Sequence, residues 1–188
     1  KGLFEHPYTD LRRARKEIRT PASLAAVRRQ AAHCMVLAKN DGILPIDAAK
    51  LKIRRVALVG PMINERIALG GAWNTGGRNN EFTTIAEAFR EVAKKCRFDP
   101  AIPDSALLDM HLQCARSTAD LVIVCVGEHA WSTGEAHSAS FLRLPVGQDK
   151  FIEDIRKCGK PFVVVCTSGR PLPVPAALPI TFWVARFA

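Results

Sequence analysis

Short continuous runs of apolar residues alternate along this chain with longer stretches in which apolar residues recur every three or four positions. The continuous runs are RRVALVG at residues 54–60, LVIVCVG at 121–127 and PFVVVCT at 161–167. Successive side chains of a strand point to opposite faces of its sheet, so a run that is apolar at every position predicts burial on both faces. The pattern therefore predicts strands that are covered on both sides.

Helical periodicity separates these strands. One stripe begins after Thr20-Pro21, a pair suited to a helix start, and is predicted to continue to Asp41-Gly42. Further helices are predicted at residues 85–96, 107–119 and 151–158. Buried strands separated by helices indicate a parallel sheet with helices on both faces. The expected fold class is α/β, a three-layer α/β/α sandwich with a mostly parallel sheet of about five to six strands.

Two long polar loops follow the predicted strands. They are residues 70–80 (GGAWNTGGRNN) and residues 128–145. Ligands of parallel sheets gather beyond the carboxyl ends of the strands, and both loops leave that edge or lie near it. The chain contains neither of the glycine-rich phosphate-binding patterns and no G-x-S-x-G elbow. Nucleotide binding and serine hydrolase chemistry are therefore unsupported.

The positive charge of the chain raises the question of nucleic-acid binding. The chain carries a net charge of +9, concentrated in residues 12–29 and 50–55. Basic clusters can contact phosphates, but only 7% of the residues are aromatic and none interleaves with the basic runs. A solvated surface is favoured over nucleic-acid binding. No apolar run approaches the ~20 residues of a membrane-spanning helix.

The cysteines point to neither a disulfide framework nor a metal site. They contain no C-x-x-C pair, and two of them fall inside apolar strand runs, where a thiol behaves as a small apolar side chain. The six are Cys34, Cys96, Cys114, Cys125, Cys158 and Cys166. We expect no metal.

The loop after the strongest predicted strand carries most of the candidate chemistry. Residues 126–148 read VGEHAWSTGEAHSASFLRLPVGQ and include Glu128, His129, Trp131 and Glu135. A carboxylate on a glycine-containing loop beyond a strand end is placed as a general acid would be, although most loop glutamates are only solvated.

At this loop the sequence resembles the C-terminal domain of family 3 glycoside hydrolases, the bacterial β-glucosidase and β-xylosidase group. Residues 126–128 are similar to the family's strand end V-G-E, residues 133–138 (TGEAHS) to its S-G-E-A-x-S, and residues 142–148 (LRLPVGQ) to its L-x-L-P-x-x-Q. Further stretches agree in the same order, at residues 2–8, 36–46 (VLAKNDGILPI), 56–61 (VALVGP) and 159–172 (GKPFVVVCTSGRPL). The likeness covers residues 2–172.

The resemblance implies a β-glucosidase-like retaining hydrolase. In the family a preceding (β/α) barrel supplies a nucleophilic aspartate, and the sandwich domain supplies the acid/base glutamate, which corresponds to Glu135. Residues 1–22 are then expected to be a connecting arm from a barrel, and residues 23–188 the sandwich domain, divergent after about residue 172. Because the nucleophile is not in this chain, we expect the chain to be inactive in isolation.

The resemblance also implies partners and a location. The expected partners are a β-linked oligosaccharide or glycoside and the barrel, in cis or in trans, with neither nucleic acid nor membrane. No metal or organic cofactor is required. A periplasmic or secreted location is implied by the family. The chain begins at Lys1 without an initiator Met, so we expect it to be part of a longer protein from which a targeting peptide could have been lost.

Three aromatic residues are candidates for sugar contacts. Trp73 resembles the family's loop tryptophan near the sugar, where an indole face packs on the apolar face of a pyranose ring. The alternative is a tryptophan packed against its own domain. For Trp131 and His129, also candidate substrate-binding residues, local packing is the stronger alternative. Glu128 is expected to anchor its own turn.

Two departures from the family pattern raise a second hypothesis. Ala139 stands where the family has an arginine, and Phe141 where it has an acidic residue. Loss of a guanidinium removes five donors that could order the loop around Glu135. After residue 172 the tail diverges, with residues 180–185 as a possible strand. The alternative function is therefore a catalytically incomplete remnant that binds a carbohydrate or a partner.

Overall fold

The first helices lie in a compact unit of their own, residues 1–35, and residues 36–188 form a second unit. The computed structural model describes residues 2–47, 52–74, 82–173 and 180–185. Helix α1 (Leu11–Glu17) is capped at its N-terminus by Asp10, and helix α2 (Pro21–His33) is capped by Thr20, whose side chain accepts a hydrogen bond from the Ser23 N–H at 3.1 Å. The domain boundary expected at residue 22 stays a prediction about a longer protein.

The helix predicted from Thr20 to Asp41 is wrong in its second half. Helix α2 ends at His33, and residues Met35–Asn40 form strand β1. The turn after the strand is organised by Asn40, whose side-chain oxygen accepts hydrogen bonds from Gly42 N–H and Leu44 N–H at 3.0 and 3.2 Å. The error arose because a few apolar residues fit helical and strand spacing equally well.

The second unit is built on a six-stranded sheet in the order β1-β6-β5-β4-β2-β3. The strands that follow β1 are β2 (Arg55–Val59), β3 (Asp99–Ala101), β4 (Leu121–Gly127), β5 (Phe162–Ser168) and β6 (Ile180–Ala185). Strand β2 pairs with β3 and β4, β4 with β5, and β5 with β6, all in parallel. The expected α/β class with a mostly parallel sheet is confirmed. Strand β3 was not predicted, because three residues are too few to show a period.

Helices cover both faces of this sheet. They are α3 (Ile67–Gly70), α4 (Ile85–Cys96), α5 (Leu108–Thr118) and α6 (Gln148–Arg156). Val56 of β2 shares a buried cluster with Phe89 of α4, whereas its neighbour Ala57 shares one with Ala115 of α5 and Phe151 of α6. The alternation of side chains along one strand thus sends neighbouring residues into separate cores.

Helix α4 shows how local sequence fixes an element. Thr84 and Glu87 form a reciprocal capping box, with the Glu87 N–H donating to Thr84 Oγ1 at 3.1 Å and the Thr84 N–H donating to Glu87 Oε2 at 2.9 Å. The Thr84 backbone N–H and the Arg66 guanidinium hold the pKa of the Glu87 carboxyl below its ordinary value. The predicted bounds of this helix are confirmed.

The order of the strands determines where a site can form. From β2 the chain crosses to β3 on one side and then returns to β4 on the other, so the strand order reverses between β2 and β4. In open parallel sheets, the crevice beyond the carboxyl ends at such a reversal is the usual ligand site. The candidate loop at residue 128 begins beside this crevice.

None of the helices in the described part of the chain combines the length and apolar character needed to cross a bilayer.

Candidate active site

The base of the loop after β4 is closed by contacts between its two ends. The Gly127 N–H donates to Gln148 Oε1 at 2.8 Å, and Gln148 Nε2 donates back to the Gly127 carbonyl at 2.9 Å. Gly127 has a φ of 148°, and a Cβ there would lie 1.9 Å from the carbonyl oxygen of Thr167 in β5. Only glycine allows this approach. Residues 128–147 therefore leave and rejoin the fold at fixed points.

Glu128 anchors the start of this loop through contacts with the end of β5, not within its own turn. It is buried, with 7% of its surface exposed, and its backbone N–H donates to the Thr167 carbonyl at 2.9 Å. Its carboxylate accepts a hydrogen bond from Ser168 Oγ and lies 3.3 Å from Arg170 Nε. A buried carboxylate needs such partners because burial of an unpaired charge is costly. These contacts bind Glu128 to the end of β5.

The structure brings Glu135, Trp73 and Trp131 to one shallow cavity of about 260 Å³. Both indoles are accessible, with 51% of Trp73 and 66% of Trp131 exposed. The cavity is lined by Ala72, Trp73, Trp131, Thr133, Gly134, Glu135 and His137. An accessible aromatic face can pack on the apolar face of a ring-shaped ligand, and a neighbouring carboxylate can exchange a proton with such a ligand.

Close packing of two loops creates this cavity. A Cβ on Gly134 would lie 3.0 Å from the Cβ of Ala72 and 3.9 Å from Trp73 Nε1. Gly134 has a φ of 119° and Ala136 a φ of 61°, and the His137 N–H donates to the Gly134 carbonyl at 3.3 Å. This turn presents Glu135 on the surface, and within the described part of the chain its carboxylate has neither a hydrogen-bond nor an ion-pair partner.

The loop that carries Trp73 is held at both ends by Arg66. Its guanidinium donates to the Phe82 carbonyl and to the Glu87 carboxylate, and Arg66 precedes helix α3. The segment that leads to Trp73 is thereby fixed to the start of α4. Of the predicted loop at residues 70–80, residues 75–80 lie outside the described residues.

His129 lies on a different cavity from Glu135. This larger cavity, about 610 Å³, occupies the crevice where the strand order reverses, and His129 Nε2 lies 3.8 Å from Glu65 Oε1 on its wall. The short 3₁₀ turn Ala130–Ser132 contributes Ser132 to this cavity and Trp131 to the smaller one. A role for His129 in sugar binding stays a prediction.

His111 is a functional candidate that sequence reasoning missed. It is 2% exposed, its Nδ1 accepts from the Gly60 N–H at 2.9 Å, and its Nε2 lies 2.7 Å from the Ser105 carbonyl. Because Nδ1 accepts, the ring proton is on Nε2. His111 joins the end of β2 to α5 on the wall of the larger cavity. Its only sequence signal was a histidine within an otherwise apolar helical stripe.

The buried Cys125 thiol does not contribute a reactive group. Burial raises the pKa of the Cys125 thiol to about 12, so it is protonated at neutral pH. Among the described residues, no cluster of three or more histidine, cysteine, aspartate or glutamate side chains has the arrangement of a metal site. The exposed carboxylate of Glu135 is thus the candidate for acid/base chemistry.

Sequence and structure comparisons agree on one family. The sequence profile described as "Glycosyl hydrolase family 3 C-terminal domain" matches residues 35–181, which confirms the resemblance drawn from the motifs. A periplasmic β-glucosidase of Salmonella typhimurium is 26% identical over 205 residues, covering 91% of this chain and 26% of the relative. An exo-1,4-β-xylosidase, xlnD, of Aspergillus oryzae is 30% identical over 144 residues, covering 74% and 18%.

The fold agrees with solved structures over nearly the whole chain. The β-glucosidase of Listeria innocua in complex with isofagomine superimposes with a TM-score of 0.84 at 27% identity, covering 98% of this chain and 26% of that one. This chain therefore spans about a quarter of the length of such relatives.

Proposed function

This chain belongs to glycosyl hydrolase family 3, whose C-terminal domain it contains at residues 35–181, and we propose that Glu135 is the acid/base carboxylate of a retaining β-glycosidase. The observation that carries the proposal is the shallow cavity in which Glu135 lies beside Trp73 and Trp131. The carboxylate is exposed and unpaired among the described residues, so it is available to a substrate at this surface.

The reaction requires a second carboxylate from outside this chain. In the first step, the proton of Glu135 passes to the glycosidic oxygen while an aspartate of the barrel domain attacks the anomeric carbon and displaces the alcohol. In the second step, the Glu135 carboxylate takes a proton from water as that water displaces the aspartate. Retaining enzymes hold the two carboxyl groups about 5 to 5.5 Å apart.

The barrel, in cis or in trans, also completes the electrostatics. A general acid must carry its proton when the glycoside is bound. Enclosure against a barrel and proximity of the barrel's aspartate would each disfavour the charged form of a carboxylate at this surface. The 188-residue protein by itself is therefore expected to be inactive on aryl β-glycosides, and turnover by the highly purified chain would contradict this division of the site.

The tryptophans provide the binding surface for the sugar. An indole face excludes water from the apolar face of a pyranose ring, and Trp73 has about half of its surface free to do so. Trp73→Ala, in a protein that joins this chain to a barrel domain, should weaken transition-state binding by roughly 1 to 3 kcal/mol, as expected for burial of a large side chain. Unchanged kcat and KM would assign Trp73 to local packing.

Glu135→Ala in the same barrel-containing protein tests the central claim. Glycosides with poor leaving groups should lose the most rate, whereas activated aryl glycosides need little protonation and should lose less in the first step. Added azide should then accelerate breakdown of the glycosyl intermediate and yield a β-glycosyl azide, since an anion needs no general base. The matched control is Glu65→Ala, which removes a partly exposed carboxylate from the neighbouring cavity.

The outcome of this pair decides the assignment. Parental activity of Glu135→Ala on an unactivated disaccharide, with loss in Glu128→Ala or Glu65→Ala, would show that another glutamate is the acid. Measurable saccharide binding without turnover in the barrel-containing parent would favour the alternative of a catalytically incomplete remnant, to which Ala139 and the divergent tail point.

The substrate and location are proposed at the level that the relatives support. The named relatives act as β-glucosidases or β-xylosidases, so the proposed substrate is a β-linked glucoside, xyloside or related oligosaccharide. The Salmonella relative is named periplasmic, and we propose a periplasmic or secreted location for the protein that carries this domain.

A further inference from the structure

Arg170, just after β5, is bonded to the loop that carries Glu135. Its Nη2 donates to the carbonyl oxygen of Ser132, its Nε lies 3.3 Å from Glu128 Oε1, and its backbone N–H donates to Ser168 Oγ at 3.2 Å. Only 18% of its side chain is exposed. One guanidinium therefore contacts the loop at residue 128, where it leaves the strand, and at residue 132, where the 3₁₀ turn ends.

The adjoining glycine brings the backbone of this segment against the loop. A Cβ on Gly169 would lie 2.6 Å from Oγ1 of Thr133, so no larger residue fits without displacing Thr133. Thr133 is two positions before Glu135. The contacts of residues 168–170 thus cover residue 128 and residues 132–133, and they end next to the turn that presents the carboxylate.

We propose that Arg170 is a positioning residue for Glu135: it fixes the loop through the Ser132 carbonyl and the buried Glu128, and so sets where the Glu135 carboxylate stands. The inference rests on the proposed role of Glu135. An arginine side chain therefore orders this loop even though position 139, where the family pattern has an arginine, is alanine.

The chemistry of arginine suits this role better than that of lysine. Hydrogen bonds from a guanidinium are charge-assisted, and its planar fork contacts two acceptors in different directions at once. A lysine ammonium on a flexible stem can pair with Glu128 but would give up the second, directional contact to the Ser132 carbonyl. Arg170→Lys therefore keeps the charge beside Glu128, and with it the fold, while removing the loop contact.

Hydrogen exchange of the 188-residue protein tests the positioning directly. In Arg170→Lys, the amides of residues 129–137 should exchange on the order of tenfold faster, as expected from loss of a hydrogen bond to a charged group. The amides of β4 and β5 should be unchanged. The control Arg156→Lys replaces an arginine that donates two hydrogen bonds to the Glu153 carboxylate on the exposed face of α6, away from this loop. It should leave residues 129–137 unchanged.

Two results would overturn the proposal at this stage. Unchanged exchange at residues 129–137 in Arg170→Lys would show that the Ser132 contact does not order the loop. Equal acceleration in the loop and in both strands would show that Arg170 only supports the fold. Because this arm needs no activity, it is independent of the assignment of Glu135.

Kinetics of the barrel-containing protein test whether the ordering acts through Glu135. Arg170→Lys should lower kcat on poor leaving groups by about ten- to a hundredfold, change KM little, and spare activated aryl substrates, as expected when general acid catalysis is impaired. In a Glu135→Ala background the same substitution should cost nothing further. An additive loss, equal for all leaving groups, would overturn the proposal.

The proposed function can fail separately. If Glu135→Ala has parental activity with every leaving group, then Glu135 is not the acid, and the catalytic role of Arg170 fails with it even where the exchange data show an ordered loop. If Glu135→Ala behaves as a general acid variant and Arg170→Lys is additive to it, only the positioning inference is wrong.

Discussion

Leu144 should contribute more to the stability of this domain than its position in a long surface loop suggests. It is 2% exposed and belongs to the buried cluster that includes Phe151, Ile152 and Leu172. Leu142, two positions earlier in the same LRLP segment, is 52% exposed. The pair offers one substitution, leucine to alanine, in two environments within the same loop.

The size of the effect follows from the burial. Leu144→Ala removes three buried carbon groups at about 0.8 kcal/mol each, which gives about 2.4 kcal/mol. A residual cavity adds about 24 cal/mol per Å³ of space that the surroundings do not fill. The free energy of unfolding should therefore fall by about 3 to 5 kcal/mol, a large part of the roughly 5 to 15 kcal/mol typical of a domain. Leu142→Ala should cost less than about 1 kcal/mol.

Urea unfolding followed by far-ultraviolet circular dichroism measures both variants. With a slope of about 1 to 3 kcal/mol per molar urea, the midpoint of Leu144→Ala should fall by at least about 1 M, while its slope stays that of the parent. Equal midpoints for the two alanine variants would refute the reasoning. They would show that the burial of Leu144 does not stabilise the packing of the loop's end against the core.

Three further predictions concern the turn at Gly127, the acid stability and the departure at position 139. Gly127→Ala should prevent folding or lower the free energy of unfolding by more than about 2 kcal/mol, because the new Cβ would meet the Thr167 carbonyl at 1.9 Å. The control is Gly159→Ala, at another positive φ but with nothing within 4 Å. Equal urea unfolding midpoints for the two variants would contradict the steric argument. Backbone N–H groups of residues 55 and 54 donate to Asp120 and hold the pKa of its carboxyl below its ordinary value. The stabilisation of the fold by the ionised Asp120 is thus complete above the unfolded pKa of about 3.9 and is lost as pH falls through the lower folded value. The difference in melting temperature between the parent and Asp120→Asn should therefore be largest near neutral pH and shrink in acid. A difference that stays constant with pH would contradict this. Ala139→Arg should reduce protease cleavage within residues 128–143 and, with a barrel present, raise kcat, and no change in either would show that the departure is harmless.

Elements whose signals lie within one short stretch of chain could be predicted from the sequence. Strands β4 and β5 follow from continuous apolar runs, because only a strand buried on both faces tolerates them. Helix α4 follows from its apolar stripe and the Thr84 cap, which lie within one stretch of chain. Strand β1 and strand β3 did not follow, since a short apolar run fits either period and three residues fit none.

The motifs also predict which residues have catalytic potential. The T-G-E-A segment at residues 133–136 and the G-G-A-W segment at residues 70–73 suggest Glu135 and Trp73 through their resemblance to the family motifs. The pattern does not show which of these residues line the same cavity. Trp73 and Glu135 line one cavity although they are 62 positions apart, while His129, much closer in sequence to Glu135, lies on another.

Which loops meet at the candidate site depends on the order of the strands and on the packing between loops, and neither can be predicted from a local pattern. Adjacency of β2 to β4 brings the Trp73 loop to the Glu135 loop, and adjacency of β4 to β5 brings Arg170 beneath Ser132. Which of Leu142 and Leu144 enters the core is likewise set by where the loop rejoins α6, not by either residue's own preference. Local patterns fix the elements, whereas contacts between distant segments, formed only when the sheet is assembled, fix the site.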